Sequence, residues 1–387
     1  MTALILISFI LFLGYGILIV YYRQGWTQLP VFDRSRQVSI PSTTVTVIIP
    51  ARNEEGQISQ CLTSVLAQSY PAHLFEVIVV DDHSTDDTAA IVKTFLGEHL
   101  QLIELKDHLN GPINSYKKKA IELAIAEAKG KLIVTTDADC IVPSNWLYSL
   151  CSFYETHQPA FIAAPVFIPA EKSFLSVFQS LDFLTLMGIT GAALHHQLHV
   201  MCNGANLSYE KIAFEKVDGF SGINDIASGD DMLLMQKINR QFPQQTMFLK
   251  SAEAIVNTRP APSLSAFFNQ RIRWASKSNR YQDKKILPIL IWVYLFNLML
   301  LTLPVIACFQ WAIPEWFMFS IWIYWLLLLL LKTIIELFFI FPVASFFHHR
   351  EILWWFPLMQ PFHILYTAIA GFLGIFGSYT WKDRKVN

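Results

Sequence analysis

Hydrophobic residues form a long uncharged run at the start of the chain. The segment from Thr2 to Tyr22 carries no charged side chain, and its length suits a helix that crosses a bilayer. No basic stretch precedes the run, and no small-residue cleavage site follows it. The pattern therefore predicts an N-terminal transmembrane anchor over residues 1–22 rather than a signal peptide that is removed.

A more polar middle region, residues 40–260, alternates short Val/Ile-rich runs with helix-period stretches. "VTVIIP", "FEVIVV", "QLIEL" and "KLIVTT" are predicted strands, and "ISQCLTSVLAQ" and "KKKAIELAIAEAKG" are predicted helices. Continuous apolar strands that alternate with helices are typical of a parallel sheet covered on both faces. We therefore predict a Rossmann-like α/β domain with a mostly parallel sheet, whose ligands bind at the carboxyl ends of the strands.

Three further apolar blocks follow Lys284-Lys285 and predict a C-terminal transmembrane region over residues 286–379. Pro357 and Pro361 interrupt the last block, so the region has two spans or three. A third crossing would place the basic segment "WKDRK" on the side opposite the α/β domain, against the positive-inside rule. The side of the C-terminus therefore stays open.

Composition narrows the class of protein. Hydrophobic residues make up 53% of the chain and charged residues 15%, whereas soluble proteins have about 25% charged residues. Part of this chain is therefore expected in lipid. Lys332 and Glu336 are four residues apart inside an apolar block, so they share a helix face and are predicted to pair. The net charge of -1 excludes a general nucleic-acid binder.

Basic residues after the anchor predict its orientation. Arg23, Arg34 and Arg36 follow the apolar run, which places the α/β domain in the cytoplasm and the protein in the inner membrane of the cell. The five cysteines show no CxxC pair and no metal-binding spacing. They are expected to be buried thiols in a reducing compartment.

Two carboxylates, Asp137 and Asp139, end the strand "KLIVTT". Like charges this close repel each other unless a cation lies between them. Mg2+ and Mn2+ bind in proteins through one or two carboxylates together with substrate phosphates. A divalent ion at Asp139, with Asp137 beside it, is therefore predicted.

Polar clusters also end the first two strands, as "PARNEE" and "DDHS". Asp82 with Ser84 and Thr85 has the composition of a helix N-cap. The same carboxylate is also suited to accept hydrogen bonds from a base or a ribose hydroxyl. Both interpretations stay open for this segment.

A second acid pair, Asp230-Asp231, begins a predicted helix in "SGDDMLL". One interpretation is an N-cap with an acidic first turn, which the helix dipole favours. The other is a general base that takes a proton from an acceptor hydroxyl. The sequence leaves these two open.

The segment "NQRIRWASKSNR" places Gln270, Arg273 and Trp274 on one face of a predicted helix. An arginine can bind phosphate oxygens with two parallel hydrogen bonds, and an indole offers a flat apolar wall for a sugar. The flanking basic and aromatic residues are typical of an amphipathic helix at a membrane surface. We therefore predict an interfacial helix over residues 261–285.

In this order, the motifs resemble those of the membrane-bound family 2 glycosyltransferases, which include cellulose, hyaluronan and ceramide-glucosyl synthases. The matching segments are "VIIPARNEE", "VIVVDDHSTDDT", "TTDADC", "CNGANLSYEKIAFEKVDGF", "SGDDMLL" and "QRIRW". The resemblance implies a GT-A fold flanked by transmembrane helices. It also implies an inverting transfer from a nucleotide-sugar, most often a UDP-sugar, with Mg2+ or Mn2+ as cofactor.

The resemblance also implies roles for individual residues. Nucleotide-sugar binding is carried over to Ala51, Asn53, Glu54, Asp82, Lys117 and Asp137, and metal binding to Asp139 with Asp137. Acceptor and diphosphate binding is carried over to Gly204, Asn206, Gln270, Arg273 and Trp274. Asp231 matches the catalytic base, and Asp230 stands where the family often has Glu. Tyr116 replaces the glycine that usually precedes the lysine.

Three functional alternatives remain at this stage. One is a single transfer to a lipid or lipid-linked acceptor, which the small number of predicted spans favours. Another is a processive polysaccharide synthase, which would need a channel for the growing chain. The third is a membrane protein that binds a sugar nucleotide without transferring it, although the chain keeps the base and the metal-binding acids.

Overall fold

The computed structural model describes residues 2–34, 41–109, 111, 113–226, 228–277, 281, 283–309, 315–376, 379–381 and 384–386. Its α-helices are α1 Thr2–Gln28, α2 Ile58–Leu66, α3 Thr88–Lys93, α4 Tyr116–Glu127, α5 Trp146–His157, α6 Phe174–His195, α7 Lys211–Lys216, α8 Met232–Gln241, α9 Leu264–Ala275, α10 Ile286–Phe309, α11 Glu315–Phe346 and α12 Phe356–Phe376. Its strands are β1 Val45–Ala51, β2 Phe75–Asp81, β3 Leu100–Glu104, β4 Leu132–Thr135, β5 Phe161–Ala163, β6 Val166–Phe167, β7 Leu207–Glu210, β8 Thr246–Phe248, β9 Val256–Asn257, β10 Tyr379–Trp381 and β11 Arg384–Val386.

Some predicted positions lie outside the described residues. They are residue 1 of the predicted anchor, Arg36 after it, residues 40, 110, 112 and 227 of the predicted α/β domain, residues 278–280 and 282 of the predicted interfacial helix, residues 310–314 and 377–378 of the predicted C-terminal region, and residues 382–383 of the basic segment after it. Within the described part of that interfacial segment, α9 occupies Leu264–Ala275, which is shorter than the prediction.

The central sheet has seven strands in the order β3-β2-β1-β4-β7-β5-β8. β1 pairs in parallel with β2 and β4, and β2 pairs in parallel with β3. β7 runs antiparallel between β4 and β5, and β8 pairs in parallel with β5. The predicted mostly parallel α/β sheet is therefore confirmed.

The register brings the polar strand ends to one edge of the sheet. Ala51 at the end of β1 lies opposite Asp81 of β2, and Ile48 lies opposite Thr135 at the end of β4. Three parallel strands thus finish side by side, because their continuous apolar runs are buried in register under the helices. The polar segments that follow them surround one cavity.

Helix α1 continues past the predicted anchor and enters the α/β domain. Arg23, which was expected to follow the helix, lies within it and places its guanidinium 3.7 Å from the ring centre of Phe338. The buried Lys250 ammonium donates hydrogen bonds to the carbonyl oxygens of Trp26 (2.7 Å) and Leu29 (3.1 Å). The last turn of α1 is therefore fixed to the α/β domain.

Helix α6 was not predicted, although its 22 residues are mostly apolar. Most of this helix is buried between the α/β domain and the helices α1 and α11. Gly188 faces Val343 of α11, and Gly191 faces Trp26 of α1, at distances that leave no room for a Cβ atom. The two glycines therefore allow close packing at the junction between the α/β domain and the long apolar helices.

Among the described residues, five helical segments are long and apolar enough to cross a membrane: Ala3–Gln28, Phe174–His195, Ile286–Cys308, Ile321–Phe346 and Arg350–Gly374. The first and the last three correspond to the predicted anchor and the predicted C-terminal blocks. The second is helix α6, which is mostly buried inside the protein.

Helix α12 is continuous, in contrast to the predicted interruption. Pro357 lies in its first turn, where a helix does not use the backbone N–H, and Pro361 lies inside it. The helix packs along α9 of the α/β domain as well as against α10 and α11.

Both ends of α12 lie at the α/β domain. Before the helix, the ring of His349 stacks on Phe167 at 4.4 Å between ring centres. At its end, Gly374 lies directly against Ala275 of α9, and β10 also packs against α9. The described part of the C-terminal strand pair therefore lies beside α9 of the α/β domain.

The predicted pair of Lys332 and Glu336 is confirmed. The two charged groups are 2.7 Å apart and buried. Lys332 also donates to Gln360 of α12 at 2.7 Å, and the hydroxyl of Tyr15 and the amide of Gln360 both donate to Glu336. The pair is embedded among three helices, as a buried charge requires.

Candidate active site

A cavity lies at the carboxyl ends of β1, β2 and β4, where α8 and α9 close it. The predicted site residues that line it are Ala51, Glu54, Asp82, Lys117, Asp137, Asp139, Gly204, Asp230, Asp231, Gln270, Arg273 and Trp274. They come from seven separate segments of the chain. The structure thus brings together all but two of the predicted site residues.

Lys117 of α4 lies between two acids of the cavity. Its ammonium is 2.7 Å from Asp137 and 3.0 Å from Asp230. Burial disfavours the charge, but the two carboxylates outweigh it and hold the pKa of Lys117 above its ordinary value. A protein cation therefore already balances the charge of Asp137.

The acid pair at the start of α8 has two different environments. Burial alone would raise the pKa of Asp230, but Lys117 and Lys277 outweigh it and keep that pKa below its ordinary value. Asp231 caps α8, with one oxygen accepting from the N–H of Met232 (2.7 Å) and the other from the N–H of Gly204 (3.1 Å). The structure therefore shows Asp231 as an N-cap that also faces the cavity.

A buried lysine organises the loop that leads to this acid pair. Lys118 is 1% exposed, and its ammonium donates to the carbonyl oxygens of Ile223 (2.6 Å), Ile226 (2.6 Å) and Ser228 (2.9 Å). Burial lowers the pKa of Lys118 to about 8. At neutral pH the amine is therefore still mostly protonated, and its three N–H groups bind the three carbonyl oxygens.

Replacing Lys118 with Met should loosen this loop. The three carbonyl oxygens would lose their buried donor, so we expect the free energy of unfolding to fall by about 2–4 kcal/mol. Thermal unfolding and hydrogen exchange over residues 221–230 would measure the effect. Lys119→Met is the matched control, because Lys119 is partly exposed and its ammonium pairs with Glu122 at 3.4 Å. Equal behaviour of the two variants would contradict this role.

Helix α9 supplies one wall of the cavity. Ser263 caps the helix by accepting a hydrogen bond from the N–H of Ala266 at 3.2 Å, and the predicted face with Gln270, Arg273 and Trp274 lines the cavity. The guanidinium of Arg273 is 3.4 Å from the hydroxyl of Ser228. A cation and an indole therefore face the acid pairs across the cavity.

Two predicted site residues do not line the cavity. The side-chain oxygen of Asn53 accepts a hydrogen bond from the N–H of Thr85 at 2.9 Å, so it fixes the loop after β2. Asn206 is fully buried: it donates to the carbonyl oxygens of Pro165 and Ala254 and accepts from the indole of Trp146. The structure thus uses these polar atoms inside the protein, and ligand contact by Asn53 and Asn206 stays a prediction.

Several lining residues were not predicted as site residues. Lys277 lies 3.8 Å from Asp231 and is four positions after Arg273, so the helix-face argument could have found it. Arg52 also lines the cavity and occurs within "PARNEE". Phe183 comes from α6, and no sequence signal pointed to it because α6 itself was missed.

Two acids of the cavity are suited to a divalent cation. Asp137 and Asp139 both line it, but the described residues contain no group of three or more His, Cys, Asp or Glu side chains arranged to hold a metal. Mg2+ and Mn2+ commonly use one or two carboxylates and complete their coordination with substrate phosphates and water. The residues therefore fit a cation that binds together with a diphosphate.

Comparison with known protein families gives two matches. The model described as Glycosyl transferase family 2 matches residues 46–217, and the model described as Glycosyl transferase family group 2 matches residues 132–373. The second match covers more than half of the chain, and together the two include the cavity and the long apolar helices after it.

Two curated proteins illustrate the range of similar sequences. Poly(ribitol-phosphate) beta-N-acetylglucosaminyltransferase TarS of Staphylococcus aureus is 32% identical over 113 residues, which are 29% of this chain and 19% of TarS. Beta-monoglucosyldiacylglycerol synthase of Synechocystis is 23% identical over 252 residues, which are 63% of this chain and 50% of that enzyme. The chain thus spans half or less of the length of these relatives.

A solved structure has the same fold. The mannosyltransferase PcManGT of Pyrobaculum calidifontis, in complex with GDP-Man and Mn2+, superimposes with a TM-score of 0.60 at 20% identity. The match covers 93% of this chain and 99% of that one. This similarity and the mostly parallel sheet confirm the predicted GT-A fold.

Proposed function

Because the chain belongs to glycosyltransferase family 2, we propose that it transfers a sugar from a nucleotide-sugar to a hydroxyl group of a lipid or lipid-linked acceptor. The proposed donor is a UDP-sugar, and the transfer inverts the anomeric centre. The observation that carries the proposal is the convergence of two acid pairs with Lys117 and Arg273 in one cavity at the strand ends.

The nucleotide part of the donor is assigned to the β1–β2 side of the cavity. Ala51, Glu54 and Asp82 line this side, and ligands of open α/β sheets bind at such strand ends. Carboxylates and backbone groups can accept hydrogen bonds from a base and a ribose. The diphosphate would then extend toward Asp139 and Arg273, where cations can balance its charge.

The transfer is proposed as one displacement. Asp231 takes the proton of the acceptor hydroxyl, and the oxygen attacks the anomeric carbon from the face opposite the diphosphate. The bond between that carbon and the diphosphate oxygen breaks, and the nucleoside diphosphate leaves with its added negative charge beside Arg273 and Lys117. When bound at Asp139 and Asp137, Mg2+ or Mn2+ would supply further charge stabilisation for the leaving group.

A lipid-like acceptor is supported by the apolar surface next to the cavity. A second cavity shares Gln270 and Arg273 with the first and is lined by the first turns of α6 and α9. Phe174 and Leu264, which belong to those two turns, are about half exposed. Exposed apolar side chains beside a polar cavity are typical of a contact with lipid or another apolar partner.

The membrane arrangement is also a proposal. We place three crossings at α1, α10 and α11, with the α/β domain, α12 and the C-terminal strand pair on the cytoplasmic side. Trp354, which is 86% exposed, and Trp355 precede α12, and exposed tryptophans are enriched where protein meets the headgroup region of a bilayer. In this arrangement the basic C-terminal end of the chain is cytoplasmic, as the positive-inside rule expects.

A processive polysaccharide synthase is the second candidate. Poly-beta-1,6-N-acetyl-D-glucosamine synthase of Staphylococcus epidermidis, whose name gives a polymer as its product, is 23% identical over 146 residues, which are 37% of this chain and 34% of that enzyme. The lipid acceptor is favoured because three crossings offer little wall for a channel that exports a polymer.

A product assay tests the proposal. Full-length protein would be incubated with host lipid extract, Mg2+ or Mn2+, and radiolabelled UDP-sugars, with GDP-mannose included. Label in a discrete organic-soluble product is expected. Label in a water-soluble polymer of high molecular weight would establish the processive alternative. If the protein binds a nucleotide but transfers label from no donor, it is a non-catalytic binder of sugar nucleotides.

A further inference from the structure

Arg271 lies between the predicted ligands Gln270 and Arg273 in sequence, but it faces away from the cavity. It is 4% exposed. One nitrogen of its guanidinium donates to Asp182 at 2.6 Å, and another donates to the side-chain oxygen of Gln270 at 3.0 Å. Arg271 is therefore a buried cation in contact with a residue that lines the cavity.

The same guanidinium contacts two aromatic rings. It lies 4.2 Å from the ring centre of Trp274 and 4.7 Å from that of Phe267. A cation this close to an indole face interacts favourably with it, and more strongly when water is excluded. The plane of the guanidinium is thus linked to the orientation of Trp274, the proposed sugar wall.

Asp182 connects Arg271 to the C-terminal region. One oxygen of its carboxylate accepts from Arg271, and the other accepts from the hydroxyl of Tyr366 at 2.6 Å. Asp182 belongs to α6, and Tyr366 belongs to α12. Three helices from distant parts of the chain therefore meet at one buried carboxylate.

The neighbours of this network form part of the cavity wall. Phe183, which follows Asp182, lines the cavity together with Gln270 and Trp274, and the rings of Phe183 and Trp274 are 6.3 Å apart. A shift of Asp182 or Arg271 would move these three side chains together, because the site is closely packed.

We propose that Arg271, held by Asp182 and Tyr366, is a positioning residue that fixes Trp274 and Gln270 in the cavity. Helix α12 thereby sets the shape of the acceptor side of the active site. The assignment of this part of the cavity to the acceptor rests on the proposed function, whereas the contacts of Arg271 are independent of it. Arg271 itself touches no reacting group.

Stability alone does not account for such a network. A buried ion pair is often no more stabilising than a well-packed apolar substitute, because both charges lose their hydration. What the arginine adds is geometry, since its planar fork donates in two directions while its face stacks on an indole. A lysine ammonium retains the charge but can reproduce neither the fork nor the stacked face.

The test uses Tyr366→Phe and Arg271→Lys in the full-length protein in detergent micelles. The first readout is the fluorine NMR resonance of Trp274 in fluorotryptophan-labelled protein, identified by its loss in Trp274→Phe. The second is transfer of label from the nucleotide-sugar that the product assay identifies. The third is the affinity for UDP or GDP in the presence of Mn2+, measured by calorimetry.

The matched control is Tyr15→Phe. Tyr15 is also a buried phenol that donates to a carboxylate paired with a cation, here Glu336 with Lys332. This second network lies away from the cavity lining. A role in stability alone would therefore give Tyr15→Phe and Tyr366→Phe the same profile.

For Tyr366→Phe and Arg271→Lys we expect the Trp274 resonance to shift or broaden and transfer to fall about tenfold, the effect of losing one hydrogen bond to a charged group. The affinity for the nucleoside diphosphate should stay as in the unchanged protein, and Tyr15→Phe should alter none of the readouts. A Trp274 resonance that is the same in all variants would overturn the proposal. If the unchanged protein transfers no sugar, the proposed function fails, and the resonance still decides whether Arg271 positions Trp274.

Discussion

Asp231→Asn should reduce sugar transfer by about 10²–10⁴-fold, the range that a positioned general base contributes. The amide has nearly the shape of the carboxylate, so its oxygen can still accept the N–H of Met232 that caps α8, whereas the bond from the N–H of Gly204 is lost. It cannot take a proton from an acceptor hydroxyl. We therefore expect normal folding and normal binding of the nucleoside diphosphate with almost no turnover, measured by calorimetry and by the product assay.

Asp230→Asn is the comparison that separates the two neighbouring acids. Asp230 is 3.0 Å from Lys117, so its replacement should weaken donor binding more than it slows the chemical step. A rise in the KM for the donor with a modest loss of kcat is expected. If Asp230→Asn abolishes turnover while Asp231→Asn remains active, the base is Asp230 and the assignment to Asp231 is wrong.

Removal of the divalent cation should abolish transfer, and Asp139→Asn should reproduce this loss. Asp139 lines the same cavity as Asp137, and the family resemblance assigns metal binding to it. The described residues hold no cluster of three metal-binding side chains, and Mg2+ and Mn2+ normally add substrate phosphates to one or two carboxylates. We therefore expect Mn2+ to bind tightly only after a nucleoside diphosphate has been added.

Electron paramagnetic resonance of Mn2+ would measure this order of binding. In the unchanged protein, the signal of free Mn2+ should decrease on addition of UDP or GDP, beyond the decrease that the nucleotide alone causes. Asp139→Asn should lose that effect and lower transfer by about 100-fold, as second-shell and ligand losses do at other metal sites. Asp87→Asn, at an exposed acid before α3, is the control. Full activity of Asp139→Asn in a chelator would refute metal dependence.

The strands β1 to β4, and the sheet edge that carries the site, were predictable from local pattern, whereas β5, β7 and β8 were not predicted. β1, β2 and β4 are apolar runs that alternate with helices, a pattern typical of a parallel sheet covered on both faces. Parallel strands end at one edge, so the segments after them had to approach one another. The face of α9 with Gln270, Arg273 and Trp274 followed from helical periodicity.

Other features lacked a local signal. Asn206 carries the same polar side chain as many ligand-binding residues. Only the structure shows that its amide nitrogen and oxygen are hydrogen-bonded to Pro165, Ala254 and Trp146. The role of α6 was hidden because an apolar helix has the same sequence pattern whether protein or lipid covers it. The position of α12 depends on the residues that its two ends contact. Those residues are far away in the sequence, so no local segment reveals them.

The sequence by itself determined the α/β class, the apolar segments, the strand-end acids and the helix face that they oppose, because each depends on residues close together in the chain. Only the tertiary structure decided which charges meet. Lys117 joins Asp137 to Asp230, and Arg271 joins α9 to Asp182 of α6 and through it to Tyr366 of α12. The physical reason is that a buried charge needs an opposite charge or a hydrogen-bond donor beside it. Packing of the whole chain decides which group that is, and the partner can come from any distance along the sequence.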